Sequence, residues 1–187
     1  MDSIAKNLLK STATYGFALG IIVVIYNLLL YFLNIMPVGI AKPFMLFVVT
    51  VAIYFVGILM FSKQVRKEVY GGEVSYKQGL LVGILIGLFA SIIISAYSYL
   101  QNVIIDPDYM NRYIDAQSQW MADYMYSKGL PDDQIEAALE GLEAARDTKF
   151  TFGSYIKSVL LSTLGFGVIS LITSAIIRKK ETTPFAE

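Results

Sequence analysis

The sequence predicts an all-α integral membrane protein: four transmembrane helices, both termini cytoplasmic, and an exported acidic amphipathic helical hairpin between helices three and four. Three observations predict it. Four segments are apolar over the roughly 20 residues needed to cross a bilayer core of about 30 Å. Lysine and arginine cluster in the connections that four crossings place on one side. The segment 105–150 holds ten acidic residues against four basic ones, with apolar residues at helical spacing. Composition agrees: the 187 residues are 56% hydrophobic with mean hydropathy +0.58, and only 16% are charged, against about 25% in a soluble domain. Core helices of a soluble bundle keep a polar stripe, and these four segments have none.

The first helix is expected at about 12–34, "TATYGFALGIIVVIYNLLLYFL", an apolar run too long for a cleavable signal peptide. The second, about 43–61, has Pro43 in its first turn, where the missing N–H costs nothing. Gly71-Gly72 then marks a turn, and Ser75 and Gln78 match a capping box that starts the third helix, about 78–101. Tyr76 and Lys77 suit headgroup depth there. Asp106 before Pro107 reads as an N-cap with proline at the first helical position, and Asp108 complements the helix dipole. Tyr109, Tyr113, Ile114, Trp120, Met121 and Tyr124 form one stripe, Gly129 a stop and Pro131 a restart. Ile135, Ala138, Leu139 and Leu142 form the second stripe, so 105–150 is a hairpin insertion in a single domain spanning 1–187. The fourth helix covers about 152–177.

Lys6, Lys10, Lys63, Arg66, Lys67, Lys77, Arg178, Lys179 and Lys180 share one side, which the positive-inside rule makes cytoplasmic. The other side holds Lys42, Arg112, Lys128, Arg146 and Lys149. The chain contains no cysteine and no histidine, which excludes thiol nucleophiles, Ser-His-Asp machinery and histidine-ligated zinc. No cofactor, metal site or nucleic-acid partner is expected, and the partners are membrane lipids.

The glycines of "GGEVSYKQGLLVGILIG" match neither a phosphate-binding loop nor a dinucleotide fingerprint. Gly79, Gly83 and Gly87 instead share one helix face, where small residues let a neighbouring backbone approach. Gly16 and Gly20 offer the same on helix one, and Gly165 and Gly167 on helix four. Either these are packing seams, or they line a groove for a lipid or substrate tail. Asn27, the largest polar group at depth, is expected to hydrogen-bond between helices or line that groove. "YGFALGIIVVIY" at 15–26 resembles "QGLLVGILIGLF" at 78–89, either as a duplicated two-helix unit or because glycine and aliphatic residues make any two membrane helices alike. Tyr109, Tyr113, Trp120 and Tyr124 form an interfacial aromatic face or a docking face for an envelope partner.

"EVYGGEVSYKQGLLVGILIG", "IIDPDYMNRYID", "LPDDQIEAALEG" and a last helix ending in lysines, in this order, resemble the bacterial membrane family called domain of unknown function 4199. The resemblance implies a four-helix protein of the bacterial inner membrane and no established activity. The residues favour a non-enzymatic accessory or scaffold subunit of a membrane complex, or a homo-oligomer. A small channel or lipid-handling transporter is the alternative. A membrane enzyme of lipid or lipid-linked sugar metabolism, using Asp106 and Asp108, is the second.

Overall fold

The computed structural model describes residues 2–147 and 151–178, so the charges expected at Lys149, Lys179 and Lys180 lie outside the described residues. It is helical, with no β-strand among the described residues. Four helices are long and apolar enough to cross a membrane. They are α1 (Asp2–Phe32), α2 (Ala41–Tyr70), α3 (Tyr76–Leu100) and α6 (Phe152–Ile177). Between the last two lie α4 (Tyr109–Ser127) and α5 (Asp132–Glu143).

At 31 residues α1 is about 46 Å long and outruns a bilayer core of about 30 Å. Its first turns extend beside the last turns of α2, where Ser11 Oγ donates to Glu68 at 3.0 Å and the Tyr15 hydroxyl donates to the same carboxylate. Asn34, at φ 54°, ends α1 in the left-handed conformation, with the Ile35 N–H returning to the Leu30 carbonyl at 2.9 Å. Helix α2 ends the same way on Gly71 and Gly72, at φ 64° and 100°, both N–H groups donating to the Arg66 carbonyl. A Cβ would strain the backbone at these positive φ values, so the Gly71-Gly72 pair is a helix stop. The next turn holds the capping box read from sequence. The Gln78 N–H donates to Ser75 Oγ, and the Ser75 N–H donates to Gln78 Oε1 at 2.8 Å. A second capping box, Thr151 with Ser154, starts α6.

Helix α3 is the axis of the bundle, packing most extensively on α6 and α1. Val82, Ile86 and Ala90 of α3 meet Leu19 and Val23 of α1, Ile58 and Val65 of α2, and Phe166 of α6 in one buried cluster. The apolar window of α3 is 44% buried and that of α2 only 6%. At one end Arg66 Nη1 donates to the last carbonyl of α6, Ile177, at 2.7 Å, a cation satisfying a helix C-terminus. At the other end, α3 widens into a π-helical turn, Gln101–Ile105, before the chain turns into α4.

Helices α4 and α5 pack on each other through buried Ile114 and Ile135, and Arg146 pairs with Asp115 across them. Helix α4 also rests on the α1–α2 loop. Gln117 Oε1 accepts the Gly39 N–H at 2.8 Å, and a Cβ on Gly39 would lie 3.0 Å from the Trp120 ring.

Candidate functional site

The glycines sit at the closest helix approaches. A Cβ at Gly16 would come within 2.5 Å of Phe89 Cβ and 2.6 Å of the Ile86 carbonyl, and one at Gly20 within 2.8 Å of Ile93 Cβ. On the far side of α3, a Cβ at Gly79 would meet Ile177 and Ser174, at Gly83 Ser170, and at Gly87 the stem of Phe166. Gly165 and Gly167 have no neighbour within 4 Å among the described residues and take no part in these contacts, because Phe166 between them is the residue turned inward. The glycines of α1 meet α3 rather than α2, whereas those of α3 meet α6. Hydroxyls complete the α3–α6 contact: Ser91 Oγ and Thr163 Oγ1 are 2.9 Å apart, and Ser95 Oγ donates to Ser158 Oγ at 3.1 Å.

The side of α1 facing α2 is built differently. Between the ends of α1, α2 and α3 lies a cleft of about 360 Å³, bounded by Tyr26, Asn27, Tyr31, Thr50, Gln101, Asn102 and, from α4, Tyr109. Asn27 does not bridge helices. Its Nδ2 donates to the Val23 carbonyl at 2.8 Å, one turn back in its own helix, since no acceptor of a neighbouring helix reaches it across the cleft. Thr50 and Asn102 likewise donate to carbonyls four residues earlier. The Tyr26 hydroxyl is buried without a hydrogen-bond partner among the described residues, as is that of Tyr97 on α3. A buried polar group left unpaired costs about 1–3 kcal/mol. One turn further along the same two helices, a groove of about 550 Å³ opens between Leu19 and Ile22 of α1 and Val49, Ala52, Ile53 and Val56 of α2. Its lining is almost wholly apolar.

An ion pair braces the cleft from the α4 side. Asp106 is buried, and Arg112 grips it with both guanidinium nitrogens, Nη1 to Oδ1 at 2.9 Å and Nη2 to Oδ2. Tyr31 donates to Oδ2 at 3.0 Å. The Arg112 guanidinium holds the Asp106 carboxyl below its ordinary value of 3.8, against the opposing effect of burial. Burial pushes the Tyr109 hydroxyl up, so it stays a neutral donor beside the cleft.

Asp106 does more than start the helix, the role that Asp-Pro suggests. Helix α4 runs from Tyr109, the Tyr109 N–H donates to the Asp106 carbonyl at 3.0 Å, and the Asp106 carboxylate takes Arg112 and Tyr31 besides the Asp108 N–H. The four aromatics share one face of α4 and meet different neighbours along it. Tyr109 turns to the cleft beside Tyr31, with ring centroids 6.1 Å apart, while Tyr113 is half-buried further along α4. Trp120 stacks on Tyr124 at 5.1 Å while covering Gly39, and Lys128 lies 5.5 Å over the Tyr124 ring.

A family model described as a protein of unknown function (DUF4199) matches residues 14–179. The chain belongs to this family. No curated protein and no solved structure matches it. In this DUF4199 member the matched stretch contains every residue of the cleft, the groove and the Asp106–Arg112 brace. Sequence reading passed over Tyr26, Tyr31, Gln101 and Asn102 as cleft residues. The available signal was the polar set Tyr26, Asn27 and Tyr31 near the end of one apolar helix and the Gln101-Asn102 pair interrupting another.

Proposed function

We propose that this protein is a non-enzymatic, multi-pass accessory subunit of the bacterial inner membrane that holds a membrane lipid between α1 and α2. Both termini are cytoplasmic in this reading and 105–150 is exported, so the cleft lies at the outer end of the bundle. The observation that carries the lipid reading is the order of the two hollows. A polar cleft of headgroup size sits one helical turn from an apolar groove along the same helix pair, which matches the division of a lipid into head and tail. The expected tail groove along Gly79, Gly83 and Gly87 receives no support, because side chains of α6 occupy that face.

The test fills the cleft. Thr50→Phe puts a ring into its volume, and native mass spectrometry of the purified protein in mild detergent should lose the lipid adducts seen with the wild type. Adducts unchanged by Thr50→Phe would reject the lipid site. For topology, single cysteines at exposed Glu73 and Lys128 should be labelled from opposite sides of the membrane. Labelling from the same side would reject the orientation.

A further inference from the structure

Resting on the reading of the cleft as a lipid site, we infer that its ligand is a neutral, hydroxyl-rich lipid, a glycolipid with a single sugar ring as headgroup. The cleft has many hydrogen-bonding groups and no charge of its own. Tyr26 and Gln101 line it, Asn27 and Asn102 each keep a carbonyl oxygen and a second N–H, Tyr31 and Thr50 keep oxygen lone pairs, and no lysine or arginine among the described residues lines it. Amides and hydroxyls both donate and accept, as sugar hydroxyls do.

A phosphate headgroup would meet no counter-charge here. Arg112, paired through Nη1 and Nη2 with Asp106, does not line the cleft. Lys42, next in sequence to cleft-lining Pro43, is exposed and outside the lining. An ammonium headgroup fares no better, because Asp106 is already neutralised by Arg112 and bound by Tyr31. Burying an unpaired charge is far costlier than burying a hydroxyl that finds a partner. The Tyr26 hydroxyl, buried and unpartnered, is the donor a sugar oxygen would satisfy. At about 360 Å³ the cleft lies at the small end of the roughly 300–1,000 Å³ of ligand pockets, which suits one ring rather than a chain of them. The apolar groove one turn away takes an acyl chain.

The test offers the full-length protein in detergent micelles equal amounts of monoglucosyl diacylglycerol, phosphatidylglycerol and phosphatidylethanolamine with identical acyl chains. Native mass spectrometry then reads retention. The glycolipid should be retained about tenfold over either phospholipid, the effect of one or two hydrogen bonds. Tyr26→Phe, which removes one oxygen and keeps the ring, should lower glycolipid retention severalfold and leave phosphatidylglycerol unchanged. Equal or stronger retention of either phospholipid overturns the inference. If that phospholipid is lost in Thr50→Phe, the lipid site stands and only the headgroup class is wrong. If Thr50→Phe alters no lipid's retention, the site and the inference fall together.

Discussion

The two sides of the bundle begin from the same material and end differently. Both the α3–α6 contact and the α1–α2 side are pairs of apolar helices carrying a few hydroxyl and amide groups. On α3, glycine at every fourth position removes the side chains that would hold a neighbour away, and Ile177, Ser170 and Phe166 fill the space. The backbones come close enough for serine and threonine hydroxyls to pair across the gap. On α2 the corresponding face carries Val49, Ile53 and Val56, with Gly57 alone admitting a neighbour, Leu19. The helices stay apart, a groove remains, and polar groups at its end turn back on their own backbones. In a membrane, where lipid tails are as apolar as leucine, close approach rather than hydrophobicity decides which helices associate. Bulk on one face of α2 therefore leaves room for a guest, and its absence on α3 shuts one out.

The strongest way to break this comparison is to give the seam the bulk that the groove has. Gly87→Leu should destabilise the protein by about 3 kcal/mol, as overpacking a filled contact does, because its side chain must displace Phe166. Gly165→Leu, on the open face of the same contact partner, should stay within about 0.5 kcal/mol of wild type. Thermal unfolding in detergent compares the two, and equal effects would remove the distinction between seam and open face.

The brace beside the cleft comes next. Arg112→Ala leaves a buried carboxylate without its cation and should release α4, read as faster amide exchange over 109–127, and Asp106→Asn in the same chain should restore part of the protection. The pH dependence has a definite sign. Asp106 titrates lower folded than unfolded, so its contribution is fully present above the ordinary carboxylate value of 3.8 and is lost as pH falls through the lower folded value. Amide protection of α4 should therefore fall in acid. It should not fall between pH 5 and 8, a window about one to four units above the ordinary aspartate value. The smallest expected loss of a contact is that of Ser91→Ala, which removes one hydroxyl pair across the seam. A loss of about 0.6 kcal/mol is typical of such bonds in membrane bundles. A loss several times larger would mean that hydroxyls, not close backbones, hold α3 to α6.

Much of the fold was legible in the sequence because it rests on local rules. Helix lengths follow from apolar runs, the Ser75–Gln78 box from two residues three apart, and the Gly71-Gly72 stop from backbone freedom. The candidate site was far less legible. Asp106-Pro107 satisfies the local rule for a helix start, yet the same carboxylate also takes Tyr31, 75 positions away, and Arg112, six positions on. The local rule names the first role and is silent on the other two. Asn27 is conspicuous as a polar residue at depth, but nothing local says whether a neighbouring helix will come within reach.

The sequence by itself determined four apolar helices, their stops and starts, and which faces carry small residues, since each depends on residues within a few positions of one another. Only the tertiary structure decided which small face meets which helix, that Gly165 and Gly167 face no partner among the described residues, and that Tyr26, Asn27, Thr50 and Gln101 come to bound one polar cleft over an apolar groove. That division has one physical cause. In a medium as apolar as the side chains themselves, the pairing of helices is settled by how closely specific surfaces fit, and a fit between distant segments is written in no single stretch of either.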